Sequence, residues 1–280
     1  MLGRGAVSAT GAVIALALAA WPRLSAAQAA ERGGAGAPEG EDLVAEHLVA
    51  EDLVGRRLQP RDGELWLGVS LELDSSQQRA GSVAVAPDLR WGLDDDTTVA
   101  LTHSSASIAR IGKIGGLCLT ACEHRPGYAV AALLQRRLVA AARLELSALA
   151  GGLVRDVGPW KPAALAGASA RWHRGRFGIE GTAYLQLGLA NAEQGNRHRV
   201  VFAARVWVQP TCRWALGMHS GAEGELEVFT EAYHVPVVAL LATQLSPRVT
   251  LTGEIGLPRL LGPQNTARDR HATLAVELRR

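Results

Sequence analysis

The sequence predicts an all-β fold, a closed antiparallel transmembrane β-barrel of about twelve strands. Three regularities carry that expectation. First, apolar and polar residues alternate strictly. Leu65, Leu67, Val69, Leu71 and Leu73 share one face, and Glu64, Trp66, Gly68, Ser70 and Glu72 share the other. A period of two marks a strand with two unlike faces. Such runs approach the roughly 9–11 residues that a tilted strand needs to cross a bilayer. An ordinary strand averages about six. Second, connections alternate long and short. The short ones fall at residues 94–96, after Gln135, and at 173–176, 210–212 and 246–248. Short turns on one side and long loops on the other are the habit of outer-membrane barrels. Third, Trp66, Trp91, Trp172, Phe177, Trp207 and Trp214 gather near the short connections, with Tyr128 and Tyr233 near long ones. That spacing reads as an aromatic girdle at each membrane interface.

The chain opens with an export signal. Arg4 precedes an apolar run at residues 5–20, and Ala27, Gln28 and Ala29 offer a small-residue cleavage site. The run falls short of the ~20 residues of a spanning helix, which disfavours an uncleaved anchor. Residues 1–29 are therefore read as a signal peptide. Residues 30–60 form a separate periplasmic segment, flexible or briefly helical. Within it Glu41, Glu46 and Glu51 begin three pentads containing Leu-Val. A step of five turns a helix by 500°, so the leucines do not stack into a stripe. Residues 61–280 are assigned to the barrel.

Its strands follow in order. The second carries Val83, Val85, Pro87, Leu89 and Trp91 on its apolar face, with Pro87 removing one ladder donor. Asp94, Asp95 and Asp96 turn the chain into the third, at residues 98–104. A loop over 106–126 holds Cys118 and Cys122, close enough to pair after export. A metal reading of these two finds only His124 nearby. The fourth strand aligns Tyr128, Val130, Ala132 and Leu134. The fifth sets Leu144, Leu146 and Ala148 against Arg143, Glu145 and Ser147. Residues 135–149 also admit a helical reading. The sixth spans 163–172. The seventh opposes Ile179, Gly181, Ala183, Leu185 and Leu187 to Glu180, Thr182, Tyr184 and Gln186. The eighth runs from Val200 to Val208 and the ninth from Arg213 to His219. An acidic loop follows at 223–231. The tenth, at 233–245, has poorly separated faces. The eleventh, at 249–257, and the twelfth, at 271–279, alternate cleanly.

If the polar faces look inward, the lumen holds Glu64, Glu72, Asp88, Arg90, Arg143, Glu145, Arg171, Glu180, Arg205, His219, Glu254, His271, Glu277 and Arg279. Of these, Glu72, Arg90, Arg143, Glu145, Glu180, Arg205, His219 and Glu254 are the candidate pore-lining residues. Both charge signs are present. About twelve strands lie between the side-chain-filled eight-stranded barrel and the open porin. A narrow channel for small polar solutes and a closed barrel both fit.

The net charge of +2 and the scatter of basic residues exclude a nucleic-acid field. No hydrolase, metalloprotease, phosphate-loop or dinucleotide motif occurs. His103 and Ser104 point to opposite faces of one strand and cannot pair. His219 and Ser220 are likewise sequence neighbours, not triad geometry. No catalytic residue, metal site or cofactor is expected.

The stretch at residues 92–105, Gly-Leu-Asp-Asp-Asp-Thr-Thr-Val-Ala-Leu-Thr-His-Ser-Ser, and Gly-Gly-Leu-Cys-Leu-Thr at 115–120 resemble uncharacterised, porin-like outer-membrane β-barrel proteins of proteobacteria. The resemblance covers the barrel and not residues 31–60. It implies an outer-membrane location, the lipid bilayer and the barrel-assembly machinery as partners, and no catalytic residues. Barrels of that type end in an aromatic residue, whereas this sequence ends Leu278, Arg279, Arg280. Its implied work is passive passage of small solutes. A surface-display or adhesion barrel is the alternative, and an outer-membrane enzyme a more distant one.

Overall fold

In the computed structural model, which describes residues 53–280 apart from 77–78, 104–116, 121–129, 158 and 264, strand follows strand with little else between. They are β1 (Leu65–Ser76), β2 (Arg79–Gly92), β3 (Thr97–Thr102), β4 (Leu117–Thr120), β5 (Val130–Ala141), β6 (Leu144–Val157) and β7 (Trp160–Arg174). Then come β8 (Phe177–Gly188), β9 (Arg199–Thr211), β10 (Trp214–Glu225), β11 (Val235–Ser246), β12 (Val249–Leu261) and β13 (Arg270–Arg279). A short helix, α1 (Phe229–Ala232), lies between β10 and β11. The export signal of residues 1–29, the pentads up to residue 52, Cys122, His124 and Tyr128 lie outside the described residues.

Every pairing is antiparallel, and β1 bonds both β13 and β2, so the sheet closes on itself. Among the described residues every strand but the short β4 is paired on both sides, and backbone pairing by closure is the condition for a sheet in hydrocarbon. β3 and β4 share one place in the wall. β3 pairs with residues 89–92 of β2, and β4 with residues 83–85. Thirteen strands therefore fill the twelve places that the sequence predicts.

The break between β3 and β4 has its cause in β2. Beyond the Leu89↔Leu101 pair the register brings Pro87 opposite His103. Proline has no N–H to offer, so the ladder loses a bond there. His103 adapts: its N–H donates to Asp88 Oδ1 at 2.7 Å, and its Nδ1 lies 2.6 Å from the Pro87 carbonyl oxygen.

The region after Gln135 differs from the expected connection. β5 continues through Arg136 and Arg137 to Ala141, and the turn falls at residues 142–143. The helical alternative over 135–149 is replaced by a hairpin, because β3 and β7 offer ladder partners on both outer sides. The two arginines tie down the acidic turn between β2 and β3. Arg136 pairs with Asp94 at 3.4 Å and Arg137 with Asp96 at 2.8 Å. Burial pushes the Asp94 carboxyl up, but the Asp96 N–H, Thr97 and the Arg136 guanidinium outweigh it and hold it below its ordinary 3.8.

The outside of the wall is apolar. Val69 is 52% exposed, Met218 52% and Ile255 68%, each among neighbours of the same kind. A continuous apolar exterior of this extent calls for lipid rather than water. Trp91, Trp172, Phe177 and Trp214 stand on it at the short-turn end, and Trp172 meets Phe177 edge-on at 6.0 Å. Trp160 stands outside at the long-loop end. Trp66 and Trp207 depart from the girdle. Both share the inward parity of their strands, and Trp66 is 5% exposed beneath the Arg279 guanidinium, 4.5 Å away. Val69→Arg should cost about 2–4 kcal/mol in a bilayer if it sits near the midplane. Urea titration in vesicles measures it. Nitroxides at Val69 and Leu187 should be relaxed by oxygen, and one at Thr252 by an aqueous nickel chelate.

Candidate functional site

The lumen is where the charged side chains meet. Ladder register alone builds one row. Glu145 of β6 lies opposite Arg171 of β7, Arg171 opposite Glu180 of β8, Glu180 opposite Arg205 of β9, and Arg205 opposite His219 of β10. Five strands thus present −, +, −, +, His at one level of the inner wall. The inward parity of each strand puts them there, and opposite charges on facing positions stabilise the pairing. Arg171 Nη2 reaches Glu180 Oε2 at 2.7 Å. Arg205 Nη2 lies 3.9 Å from Glu254 Oε1 on β12. On the far wall Glu72 faces Thr273 and is fully buried, with Ser70 Oγ donating to its Oε1 at 3.3 Å. His271 Nε2 lies 2.8 Å from Thr273 Oγ1. A cavity of 160 Å³ lies among Trp66, Ser70, Asp88, Arg90, Arg205, Trp207 and Glu254, room for several waters.

Seven of the eight expected pore-lining residues therefore face inward: Glu72, Arg90, Glu145, Glu180, Arg205, His219 and Glu254. Arg143 does not. It occupies the turn at residues 142–143 and is exposed, because β5 runs on to Ala141. Cys118 is disulfide-bonded and Cys212 is free and exposed. Among the described residues no group of His, Cys, Asp or Glu is arranged to hold a metal ion.

Two parts of the lumen were missed. The first is apolar. Leu153, Leu165, Tyr184, Val201, Val238 and Leu240 form one buried cluster inside the barrel, with Leu133 and Leu149 against it. It narrows the bore on the side of β5 to β9 and on β11. It also explains the poorly separated faces of residues 233–245, since the inner face there is as apolar as the outer. Parity with Arg171 and Glu180 is the signal that places Leu165 and Tyr184 inside.

The second is the stretch before β1. Residues 54–61 lie across the mouth at the short-turn end and bond to strands all around it. The Val54 N–H donates to Gln209 Oε1 of β9 at 3.1 Å, and the Leu58 N–H to Glu145 Oε2 of β6 at 2.6 Å. Arg56 donates to Thr250 Oγ1 of β12 at 2.9 Å and pairs with Glu277 of β13 at 3.5 Å. Val54, Leu58 and Pro60 are buried. Two strand-end glycines make the room. A Cβ on Gly92 would strike the Arg61 and Pro60 carbonyls, and one on Gly178 would strike the Val54 side chain. Seating is incomplete in one respect: Gln59 is 1% exposed, yet neither polar atom of its amide has a partner among the described residues.

No family model and no curated protein matches the chain. Solved structures do. An outer-membrane channel from Pseudomonas putida F1 superposes with a TM-score of 0.53 at 11% identity, over 79% of this chain and 97% of that one. The NanC porin gives 0.52 at 7% identity, over 76% and 98%. The KdgM porin in complex with disordered oligogalacturonate gives 0.50 at 6% identity, over 76% and 98%. At these identities the likeness is one of fold.

Proposed function

We propose that the chain is a narrow, porin-like channel of the bacterial outer membrane that passes small polar solutes without energy input. The alternating row from Glu145 to His219 carries this reading. A barrel that served only as a wall could fill its interior with apolar side chains. Charges of both signs held on one inner level offer a polar solute successive partners and no single deep trap. Glu72, Arg90, Glu145, Glu180, Arg205, His219 and Glu254 are then the lining. The barrels it resembles in fold include two porins and a channel. In this reading the short turns face the periplasm, the bilayer and the barrel-assembly machinery are its partners, and residues 1–29 direct export. Residues 54–61 constrict the periplasmic mouth.

Purified protein in planar bilayers tests the proposal. Discrete current steps in potassium chloride support it, and an electrically silent barrel that still shifts mobility between cold and boiled gels overturns it. The apolar cluster and the seated mouth favour one second reading, a closed barrel acting through its long loops. Pull-down of a surface partner that depends on loops 106–126 and 223–232 would support that reading.

A further inference from the structure

Outside the seated segment, at the foot of the barrel, lies a cleft of 690 Å³. Three distant parts of the sequence bring cations to it. Arg57 and Arg61 come from the stretch before β1, Arg248 from the turn between β11 and β12, and Arg279 and Arg280 from the end of β13. Few carboxylates answer them. Glu277 is already shared by Arg56 and Arg279, at 3.5 and 3.1 Å. Glu64 accepts the Arg61 backbone N–H at 2.8 Å. The guanidiniums of Arg57, Arg61, Arg248 and Arg280 have no ion pair among the described residues, and Asp62 is the other acid on the rim. Like charges gathered this way repel, and the repulsion opposes the seating of residues 54–61 on the wall. The guanidinium is also the side chain best shaped to fork onto a phosphate.

We infer that this cleft binds a multivalent oxyanion of the diphosphate or clustered-phosphate class, which bridges the arginines of the N-terminal segment to those of the barrel and so holds the mouth closed. One observation points the same way: the cleft has cations on both of the parts that would have to separate, so one anion can join them. The anion has two sources of one chemistry: a soluble polyphosphate, or the headgroups of anionic lipid in the adjoining leaflet.

The test uses the full chain with Val54→Cys and Cys212→Ser, reconstituted in phosphatidylcholine vesicles, and follows maleimide labelling at position 54. Inorganic pyrophosphate is added against sodium chloride of equal ionic strength. Vesicles containing phosphatidylglycerol form a second arm. Several-fold slower labelling with pyrophosphate supports a soluble anion. Slowing only with phosphatidylglycerol supports the lipid phosphate. Either effect should vanish in Arg248→Gln with Arg280→Gln, two exposed side chains whose loss leaves the ladder intact, and return in part with Arg248→Lys. Labelling that chloride slows as much as either anion, or protection that survives the double glutamine variant, overturns the inference. The readout needs no ion current, so a barrel that fails to conduct can still pass or fail it.

Discussion

Removing residues 31–60 raises the single-channel conductance of the reconstituted barrel several-fold. The expectation follows from where the segment lies. Its Val54 and Leu58 N–H groups and the Arg56 guanidinium are bonded to β9, β6, β12 and β13, so it crosses the mouth rather than lining one side. In the proposed channel a segment bridging the mouth obstructs the aqueous path, and conduction follows the free section of the path. Its hold is polar. Net gains of about 0.5–1.5 kcal/mol per hydrogen bond mean that a few such bonds can be exchanged for water. Gly92→Val provides the matching point variant. Its side chain would occupy the space of the Pro60 and Arg61 carbonyls, so the segment lifts while the chain stays whole. Planar-bilayer recordings of both variants should agree in direction. Conductance equal to that of the full chain in both would show that the mouth is not the constriction.

Glu180→Gln is the second large effect. Glu180 lies between Arg171, 2.7 Å away, and Arg205 in the ladder, with both acid and base side chains largely buried. Glutamine keeps the shape and removes the charge, leaving two guanidiniums facing a neutral amide. Deleting one partner of a buried pair costs about 3 kcal/mol, because the remaining charge is uncompensated. The urea midpoint in vesicles should fall accordingly. In the proposed channel the reversal potential across a potassium chloride gradient should also move toward anion preference. An unchanged midpoint would mean that the row is hydrated and screened. An unchanged reversal potential would remove Glu180 from the conduction path.

Alternation told which residues share a face, and so told most of the wall. Val69, Leu187 and Leu251 were separable from Ser70, Gln186 and Thr252 because parity is a local property. Strand ends were less legible. Arg136 and Arg137 looked like a connection because they are charged, yet they stand in β5, where they serve the turn at residues 94–96. A strand beginning at Arg143 would put that residue in the lumen, whereas the turn at residues 142–143 takes it out. Parity also placed Trp66 and Trp207 inside, but their aromatic character suggested the interface more strongly. In the interior cluster, parity with Glu180 and Arg205 places Tyr184 and Val201 inside, but Val238 and Leu240 stand in a strand whose two faces are equally apolar, so nothing in its pattern distinguishes lumen from lipid. The seating of residues 54–61 could not be read at all. Its contacts join residues more than a hundred positions apart, such as Val54 with Gln209, and depend on glycines that look like any others.

The wall place shared by β3 and β4 has a further implication. Both strands return to β2, and the interruption falls where Pro87 already forgoes a bond. Sequence added after His103 therefore need not shift any other pair out of step, nor exchange inside for outside elsewhere in the circle. This seam is the natural splice point of the molecule: in the proposed orientation, an epitope or a tag inserted there is carried at the cell surface while the remaining staves keep their alignment.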